Sequence, residues 1–335
     1  MFSFFKSNSP AVVAAYIIYL VGFRVCLWFV PVDTAFVFEH SEPLSALLFA
    51  PLKNLGANYT AISAVLAAVL CFIQALIING IVNGNKILAK KNYVAGALFL
   101  LFASFFKQAL LLTPALLALT FVILATGRLF AIAKKEKSYG DVFDIGFLVA
   151  IAGLFYFPCM LLFLFAYIGL AIVRPFNYRE WTILPLGFFS PILVVFTFYF
   201  WNDNVAILLP DMMNMHNSGW LVMPVLSLAD KTMLGSIAFC TVVCLTLLPA
   251  SLYSSLIQVR KFANALVVLI VLTLAAILLQ QSIDLSHLVL LALPLGIISA
   301  MVLMQIKRNL VSEVSHLILL LLVLFAQFFV YLNLF

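Results

Sequence analysis

Long runs of apolar residues, separated by short polar segments, dominate the chain from one end to the other. Seven of these runs are clear candidates for membrane spans, because a helix needs about 20 apolar residues to cross the hydrocarbon core of a bilayer. They cover residues 11–30, 58–80, 181–201, 232–253, 262–280, 286–305 and 311–334. The pattern predicts an all-α polytopic integral membrane protein, and we treat residues 1–335 as a single transmembrane helical domain.

Two further apolar regions, residues 94–127 and 143–173, do not fit one crossing each. The second region would form a single helix about 46 Å long, whereas the hydrocarbon core is about 30 Å thick. Lys107 and Gln108 interrupt the first region, and Pro158 lies near the middle of the second. Length alone leaves two alternatives for each region, one long span or a hairpin of two short helices.

The basic residues favour the hairpins, because Lys and Arg concentrate in cytoplasmic loops. With the N-terminus inside and both regions folded as hairpins, most of the 18 basic residues lie in cytoplasmic segments. These are Lys6, Lys86, Lys90, Lys91, Arg128, Lys134, Lys135, Lys137, Arg174, Arg179, Arg260, Lys261, Lys307 and Arg308. If 143–173 crossed only once, the last six would move outside. The charge pattern therefore predicts about eleven transmembrane helices, with the N-terminus inside and the C-terminus outside.

Composition agrees with a membrane location. Hydrophobic residues make up 66% of the chain and charged residues 9%, which is more apolar than a soluble protein of this length. The net charge of +6 comes from short loops rather than from a contiguous basic patch, so we expect no nucleic-acid partner. The five cysteines all lie in apolar runs, and we interpret them as packing residues. No small-residue cleavage site follows the first apolar run, so we expect it to be retained as a helix.

The first outer loop carries the acidic residues that are the best candidates for chemistry. Asp33 follows the first span directly, and Glu39, His40 and Glu42 come within the next ten residues. Carboxylates that are held near an apolar wall can act as general bases or metal ligands, because desolvation raises their basicity. The alternative is that they are solvated loop residues. No spacing is specific enough to predict a metal site or a cofactor, although the loop is compatible with a divalent cation.

Arg24 lies about two helical turns before the outer end of the first span, where an unpaired guanidinium costs several kcal/mol. It could reach outward to Asp33 or Glu39, hold a phosphate, or snorkel to the surface without a function. Asp284 and His287 are three residues apart at the start of a late span, so they share a helix face. We predict that Asp33, Arg24 and His287 converge on one outward-facing cavity.

Polar residues inside or near the spans have a simpler interpretation. Gln74, Asn79, Gln305 and Gln327 are predicted to form hydrogen bonds between helices, as polar side chains in membrane proteins commonly do.

Three stretches of the chain, QALIING, FDIGFLVAIAGLFYFP and RPFNYREW, resemble an uncharacterised bacterial family of multi-pass membrane proteins. This resemblance covers most of the chain and implies a location in the bacterial inner membrane. The acidic residue after the first span, the outer interfacial segment and the late helix SHLVLLALPLGIISA are similar to polytopic GT-C glycosyltransferases. Those enzymes take a sugar from a lipid-phosphate donor at the outer face. The short first outer loop departs from their pattern.

The GT-C resemblance implies roles for individual residues. Asp33 matches the acidic residue of the first outer loop, and His287 matches a basic residue near the donor phosphate. In this interpretation the catalytic residues are Asp33 and Glu39. The residues that bind the substrate or its phosphate are Arg24, His40, Asp284 and His287.

Three classes of function remain open. The first is an enzyme that acts on a lipid-linked substrate, the second a non-catalytic component of a cell-envelope assembly or export system, and the third a transporter or lipid flippase. A transporter should place ionisable groups near the midplane of several helices, whereas most of those here lie at the outer boundary. The enzyme is our first hypothesis, because it accounts for Arg24, Asp33 and His287 together. The expected partners are membrane lipids, a lipid-linked substrate and other membrane proteins.

Overall fold

The computed structural model describes most of the chain, namely residues 2–7, 9, 11–28, 42–53, 59–203, 228–253, 255–278, 285–306 and 308–332. All regular secondary structure within these ranges is helical. Seven helical segments of the described ranges are long and apolar enough to cross a membrane. The structure therefore agrees with an all-helical protein that has several membrane-spanning helices.

Thirteen α-helices lie within the described ranges. They are α1 (Phe2–Phe5), α2 (Ala11–Arg24), α3 (Pro43–Lys53), α4 (Tyr59–Gly84), α5 (Val94–Ala103), α6 (Pro114–Ala131), α7 (Tyr139–Phe155), α8 (Leu162–Val173), α9 (Tyr178–Trp201), α10 (Leu228–Leu252), α11 (Ile257–Leu278), α12 (Ala292–Gln305) and α13 (Asn309–Leu332). Short 3-10 helices extend or connect several of them, at Val25–Trp28, Gln108–Leu110, Ile132–Lys134, Phe157–Leu161 and Leu285–Leu291.

Both long apolar regions are broken into two helices. In the first region, α5 ends at Ala103 and α6 begins at Pro114, where the Thr113 side chain accepts a hydrogen bond from Leu116 N and caps the new helix. In the second region, α7 ends before a 3-10 segment that contains Pro158, which has no N–H to continue the helix. The two helices of the first region are unequal, since α5 has 10 residues and α6 has 18.

Arg174 shows that the second region folds back on itself. Its Nη2 donates to Glu136 O at 2.8 Å and lies 3.3 Å from Glu180 Oε1, and its Nη1 donates to Ser138 Oγ. A continuous helix would separate Glu136 from Arg174 by about 57 Å, at about 1.5 Å per residue. The contacts therefore place the start of α7, the end of α8 and the start of α9 at the same level of the bundle.

The first region also returns to the level where it begins. Lys134 Nζ donates to Gly84 O at 2.8 Å, and Asn83 Nδ2 donates to Asn92 O at 2.9 Å. These contacts join the end of α4, the start of α5 and the end of α6. At the other end of the bundle, Leu112 N donates to Ser63 Oγ at 2.8 Å, so the turn between α5 and α6 lies beside the start of α4.

The remaining helix ends complete one face of the molecule, which we call the basic end. Lys6 Nζ donates to Asn309 Oδ1 at 3.0 Å, Tyr93 N donates to Phe5 O at 3.0 Å, and Lys261 Nζ donates to Val173 O at 3.1 Å. Together with the contacts of Lys134 and Arg174, these hydrogen bonds connect all six segments that the charge pattern predicts to be cytoplasmic. The starts of α4 and α6 lie at the opposite end.

Polar side chains tie the helices together in the interior, as predicted for three of the four residues. Asn79 on α4 donates to Tyr16 OH at 2.9 Å and accepts from Gly96 N at 2.9 Å. Gln74 donates to Leu116 O at 2.9 Å, and Gln327 donates to Ser104 O at 2.7 Å.

Candidate functional site

Arg24 is the last residue of α2, and it points into the bundle rather than into lipid. Its side chain is buried, with 8% of the residue surface exposed. Its Nε donates to Ala64 O at 3.0 Å, its Nη1 to Leu20 O at 3.4 Å, and its Nη2 lies 3.8 Å from Cys71 Sγ. The side chain therefore faces the bundle, and the described partners of the guanidinium are carbonyl groups and a thiol.

These partners satisfy hydrogen bonds of Arg24 without balancing its charge. A cation that is buried among neutral groups costs free energy, because the Coulomb energy of an opposite charge is missing while the solvation by water is lost. In a membrane-spanning helix this cost reaches several kcal/mol. Such a position is therefore a favourable place for an anion. The predicted acidic partners Asp33 and Glu39 lie outside the described residues.

Lys107 is a second buried cation at the same end of the bundle. It lies in the turn between α5 and α6, and its Nζ is buried with no hydrogen-bond partner among the described residues. Burial lowers the pKa of the Lys107 ammonium, while Cys26 and Asp230 act in the opposite direction. Sequence reasoning treated Lys107 only as a break between two helices. In the sequence, Lys107 is distinguished only as one of the few basic residues that lie outside the predicted cytoplasmic segments.

The end of α13 holds the turn that carries Lys107 against the end of α2. Gln327 donates to Ser104 O at 2.7 Å, and its Oε1 lies 3.9 Å from Cys26 Sγ. Cys26 is within electrostatic reach of both Arg24 and Lys107. Arg24 is turned towards α4, and Lys107 is also influenced by Asp230 on α10.

Glu42 is the one acidic residue of the first outer loop that the structure describes. It is buried, with 4% of its surface exposed. Its Oε2 accepts from Ser45 Oγ at 3.1 Å and its Oε1 from Phe157 N at 3.4 Å. The carboxylate therefore joins the start of α3 to the break between α7 and α8. The sequence pattern pointed to this acidic loop, but it did not distinguish Glu42 as the buried member.

His287 lies in the 3-10 helix that precedes α12, and only 1% of its surface is exposed. Its ring stacks on Tyr156, with a centroid distance of 4.9 Å and an interplanar angle of 22°. Tyr156 is the residue before Phe157, whose amide binds Glu42. Glu42 and His287 therefore contact neighbouring residues of one helix break.

The 3-10 turn just after Lys107 packs against the 3-10 helix of His287. The group that contains Lys107 is therefore a neighbour of the group that contains Glu42 and His287. The contacts of Arg24 and those of His287 nevertheless involve different elements. The convergence of Asp33, Arg24 and His287 on one cavity stays a prediction, because Asp33 is outside the described residues. Glu39, His40 and Asp284 lie outside them as well.

Metal-ligating side chains do not cluster in the described part of the chain, where no group of three or more His, Cys, Asp and Glu residues could hold a metal ion. The described arrangement offers instead two buried cations, a buried carboxylate and a stacked imidazole. Arg24 and Lys107 can each attract an anion, and all four groups lie where helices break or end.

Comparison with models of known protein families, with curated proteins and with solved structures found no match to this chain.

Proposed function

We propose that the protein is a membrane-embedded transferase that takes a group from a lipid-phosphate-linked donor at the outer face of the bacterial inner membrane. The observation that carries this proposal is the buried guanidinium of Arg24, whose described partners are all neutral. An arginine fork matches the geometry of a phosphate, and a lipid-linked phosphate can reach a site inside a helical bundle from the bilayer.

The proposal includes a topology of about eleven membrane crossings, with the N-terminus inside and the C-terminus outside. Two observations support it. The regions 94–127 and 143–173 each begin and end at the basic end of the bundle, and hydrogen bonds connect the six basic segments there. Because positive residues mark the cytoplasmic side, the opposite end, with Arg24 and Lys107, faces outward.

The residues have distinct roles in the proposed transfer. Arg24 binds the donor phosphate and stabilises the negative charge that grows on it as it leaves. Asp33 or Glu39 accepts the proton of an acceptor hydroxyl, whose oxygen then bonds to the transferred carbon as the bond from that carbon to the phosphate oxygen breaks. His40, Asp284 and His287 orient the donor.

Binding of a polyprenyl phosphate to the purified full-length protein in nanodiscs tests the role of Arg24. We expect Arg24→Ala to weaken binding about 10- to 100-fold, the effect of losing hydrogen bonds between two charged groups. Lys137→Gln, which removes an exposed charge at the basic end, is the matched control and should leave binding unchanged.

Complementation of a deletion strain separates catalysis from scaffolding. We expect Asp33→Asn and Arg24→Ala, at normal expression and insertion, to fail to restore the phenotype. If both variants restore it fully, the protein is a non-catalytic component of an envelope assembly and the transferase proposal is wrong. A donor that crosses the bilayer in vesicles without being consumed would favour a flippase instead.

A further inference from the structure

An apolar groove of about 460 Å³ lies between α10, α12 and α13. This volume falls in the range of sites that hold small organic ligands. Among the side chains that line it are those of Phe102, Phe239, Val243, Leu303, Ile318 and Leu322. Along α10 it extends from Ser236 to Leu247, which is about 17 Å of helix.

The groove opens between two helices that face lipid. In the apolar stretches of α10 and α13, only 17% and 28% of the residues are buried. In the apolar stretch that contains α12, 89% are buried. The two walls are therefore candidate membrane spans on the outside of the bundle, and the floor is a helix of its core. At this depth the surrounding medium is hydrocarbon.

The polar groups of the groove are directed away from an occupant. Ser236 donates to Met233 O at 2.8 Å, Ser299 to Leu295 O at 2.5 Å, and Ser315 to Val311 O at 2.8 Å. Each hydroxyl is thus bonded to the backbone of its own helix. With these donors occupied, the groove suits an aliphatic chain rather than a polar molecule.

The chain continues from the lining of the groove to a positively charged residue. Phe102 lines the groove, α5 ends one residue later, and Lys107 follows in the next turn. Asp230, six residues before Ser236 on α10, acts electrostatically on Lys107. The Lys107 ammonium nevertheless lacks a hydrogen-bond partner within the described part of the chain. A buried donor of this kind is complementary to an anionic headgroup.

We propose that the groove holds one acyl tail of an anionic membrane phospholipid whose phosphate binds the Lys107 ammonium. This lipid site is separate from the Arg24 site, and it does not depend on the transferase proposal. The apolar lining recognises the tail, and Lys107 selects the charge of the headgroup. The lipid fills a space that would otherwise leave the walls of the groove without packing partners.

Photo-crosslinking of the full-length protein in nanodiscs tests the position of the tail. The probes are phosphatidylglycerol and phosphatidylcholine that carry a diazirine in the middle of one acyl chain. We expect crosslinks from phosphatidylglycerol to concentrate in residues 236–247 and 311–322. Phosphatidylcholine should give about tenfold fewer crosslinks there, because it lacks a net charge for Lys107 to bind.

Two pairs of variants test the headgroup and the tail separately. Lys107→Gln should reduce phosphatidylglycerol crosslinking to the phosphatidylcholine level, whereas Lys107→Arg should preserve the preference. Cys240→Phe fills the groove and should remove crosslinks from both lipids. Val242→Phe, on the exposed side of the same helix, should have no effect. Crosslinks spread evenly over the lipid-facing helices, or an equal yield from both lipids in the wild-type protein, would overturn the proposal. The comparison of lipids in the wild-type protein remains decisive if a variant fails to fold.

Discussion

At the scale of single residues, two arginines represent two ways of placing a cation inside an apolar bundle. Arg174 is matched by Glu180 at 3.3 Å, and the side chains are only 14% and 2% exposed. Arg24 is equally enclosed, but its described partners carry no charge. The Arg174 pair is typical of a structural contact. Arg24 instead retains a charge that has to be balanced by a ligand or by a residue outside the described ranges.

The buried ion pair should contribute strongly to stability. We expect Glu180→Ala to lower the free energy of unfolding by about 3 kcal/mol or more, because it leaves the Arg174 guanidinium buried and uncompensated. Asp144→Ala is the control, since Asp144 and Arg128 form a pair in which both side chains are about half exposed, and its loss should cost less than about 1 kcal/mol. Denaturant unfolding in detergent micelles measures both, and equal losses would contradict the role given to the Arg174 pair.

Arg24, unlike Arg174, should contribute to ligand binding and not to the stability of the ligand-free protein. Arg24→Met removes a charge that is costly in the empty protein and keeps an unbranched apolar chain of adequate length. We expect the thermal stability of the ligand-free variant to be unchanged or higher, while binding of a polyprenyl phosphate is lost. A large loss of thermal stability in the absence of ligand would show that Arg24 is a structural residue, and it would remove the main support for the proposed anionic site.

At the scale of helices, the breaks could be predicted from the sequence and the contacts between helices could not. Pro158 and Lys107 interrupt apolar runs that are too long for one crossing, and the structure breaks the chain at both places. The sequence cannot reveal that α7 packs along α9, because both helices are predominantly apolar on every side beyond the charged residues of their first two turns. What selects this pair is a small residue on each helix, and a single glycine in an apolar run has no distinctive pattern.

Gly146 and Gly187 allow α7 and α9 to approach each other closely. A Cβ on Gly146 would collide with Leu184 O, and a Cβ on Gly187 with Phe143 O. Small residues at such crossings let helix backbones pack directly. Because the obstructing atoms belong to the backbone, a side chain cannot move aside to relieve the collision. The helices themselves would have to separate.

Gly146→Ala should therefore destabilise the protein, although alanine favours a helix. We expect a loss of about 1–3 kcal/mol, the range for overpacking in a close-packed interior. Gly235→Ala is a matched control on α10, where a new Cβ would have no atom within 4 Å, and it should stabilise the helix by about 0.5–1 kcal/mol. Parallel thermal denaturation of the two variants measures the contrast. A stabilising effect of Gly146→Ala would mean that α7 and α9 are farther apart than described.

At the scale of the whole molecule, the distribution of charge was more informative than hydropathy. Hydropathy alone is compatible with either one long span or a hairpin in each of the two long regions. The positions of the basic residues favour a hairpin in both. The contacts of Arg174 and Lys134 agree with that choice. The site was less accessible to sequence reasoning. Arg24 was recognised from its depth in an apolar run, whereas Lys107 and the groove depend on helices far apart in the sequence. Four of the predicted site residues, Asp33, Glu39, His40 and Asp284, lie outside the described residues and stay predictions.

The orientation in the membrane gives the last prediction. We expect a cysteine at Lys135 to be accessible from the cytoplasm, and cysteines at Asn204 and at the C-terminal Phe335 to be accessible from outside. The reason is that Lys135 belongs to the basic end, where positive residues should face the cytoplasm. An odd number of crossings then places the C-terminus on the other side. Labelling of intact cells with a membrane-impermeant maleimide, before and after permeabilisation, measures each position.

The native cysteines must first be replaced by alanine, because Cys240 is only partly buried in the groove. A cysteine at the exposed Lys137 should behave like one at Lys135 and serves as the internal control. If Phe335→Cys is labelled only after permeabilisation, the number of crossings is even, and one of the two hairpins, most readily 143–173, spans the membrane once. Arg174 would then have to lie on the opposite side from Glu136, which its 2.8 Å hydrogen bond to the Glu136 carbonyl forbids. A single crossing of residues 143–173 is therefore incompatible with this hydrogen bond. Labelling that showed such a crossing would mean that the contact between Arg174 and Glu136 is wrong.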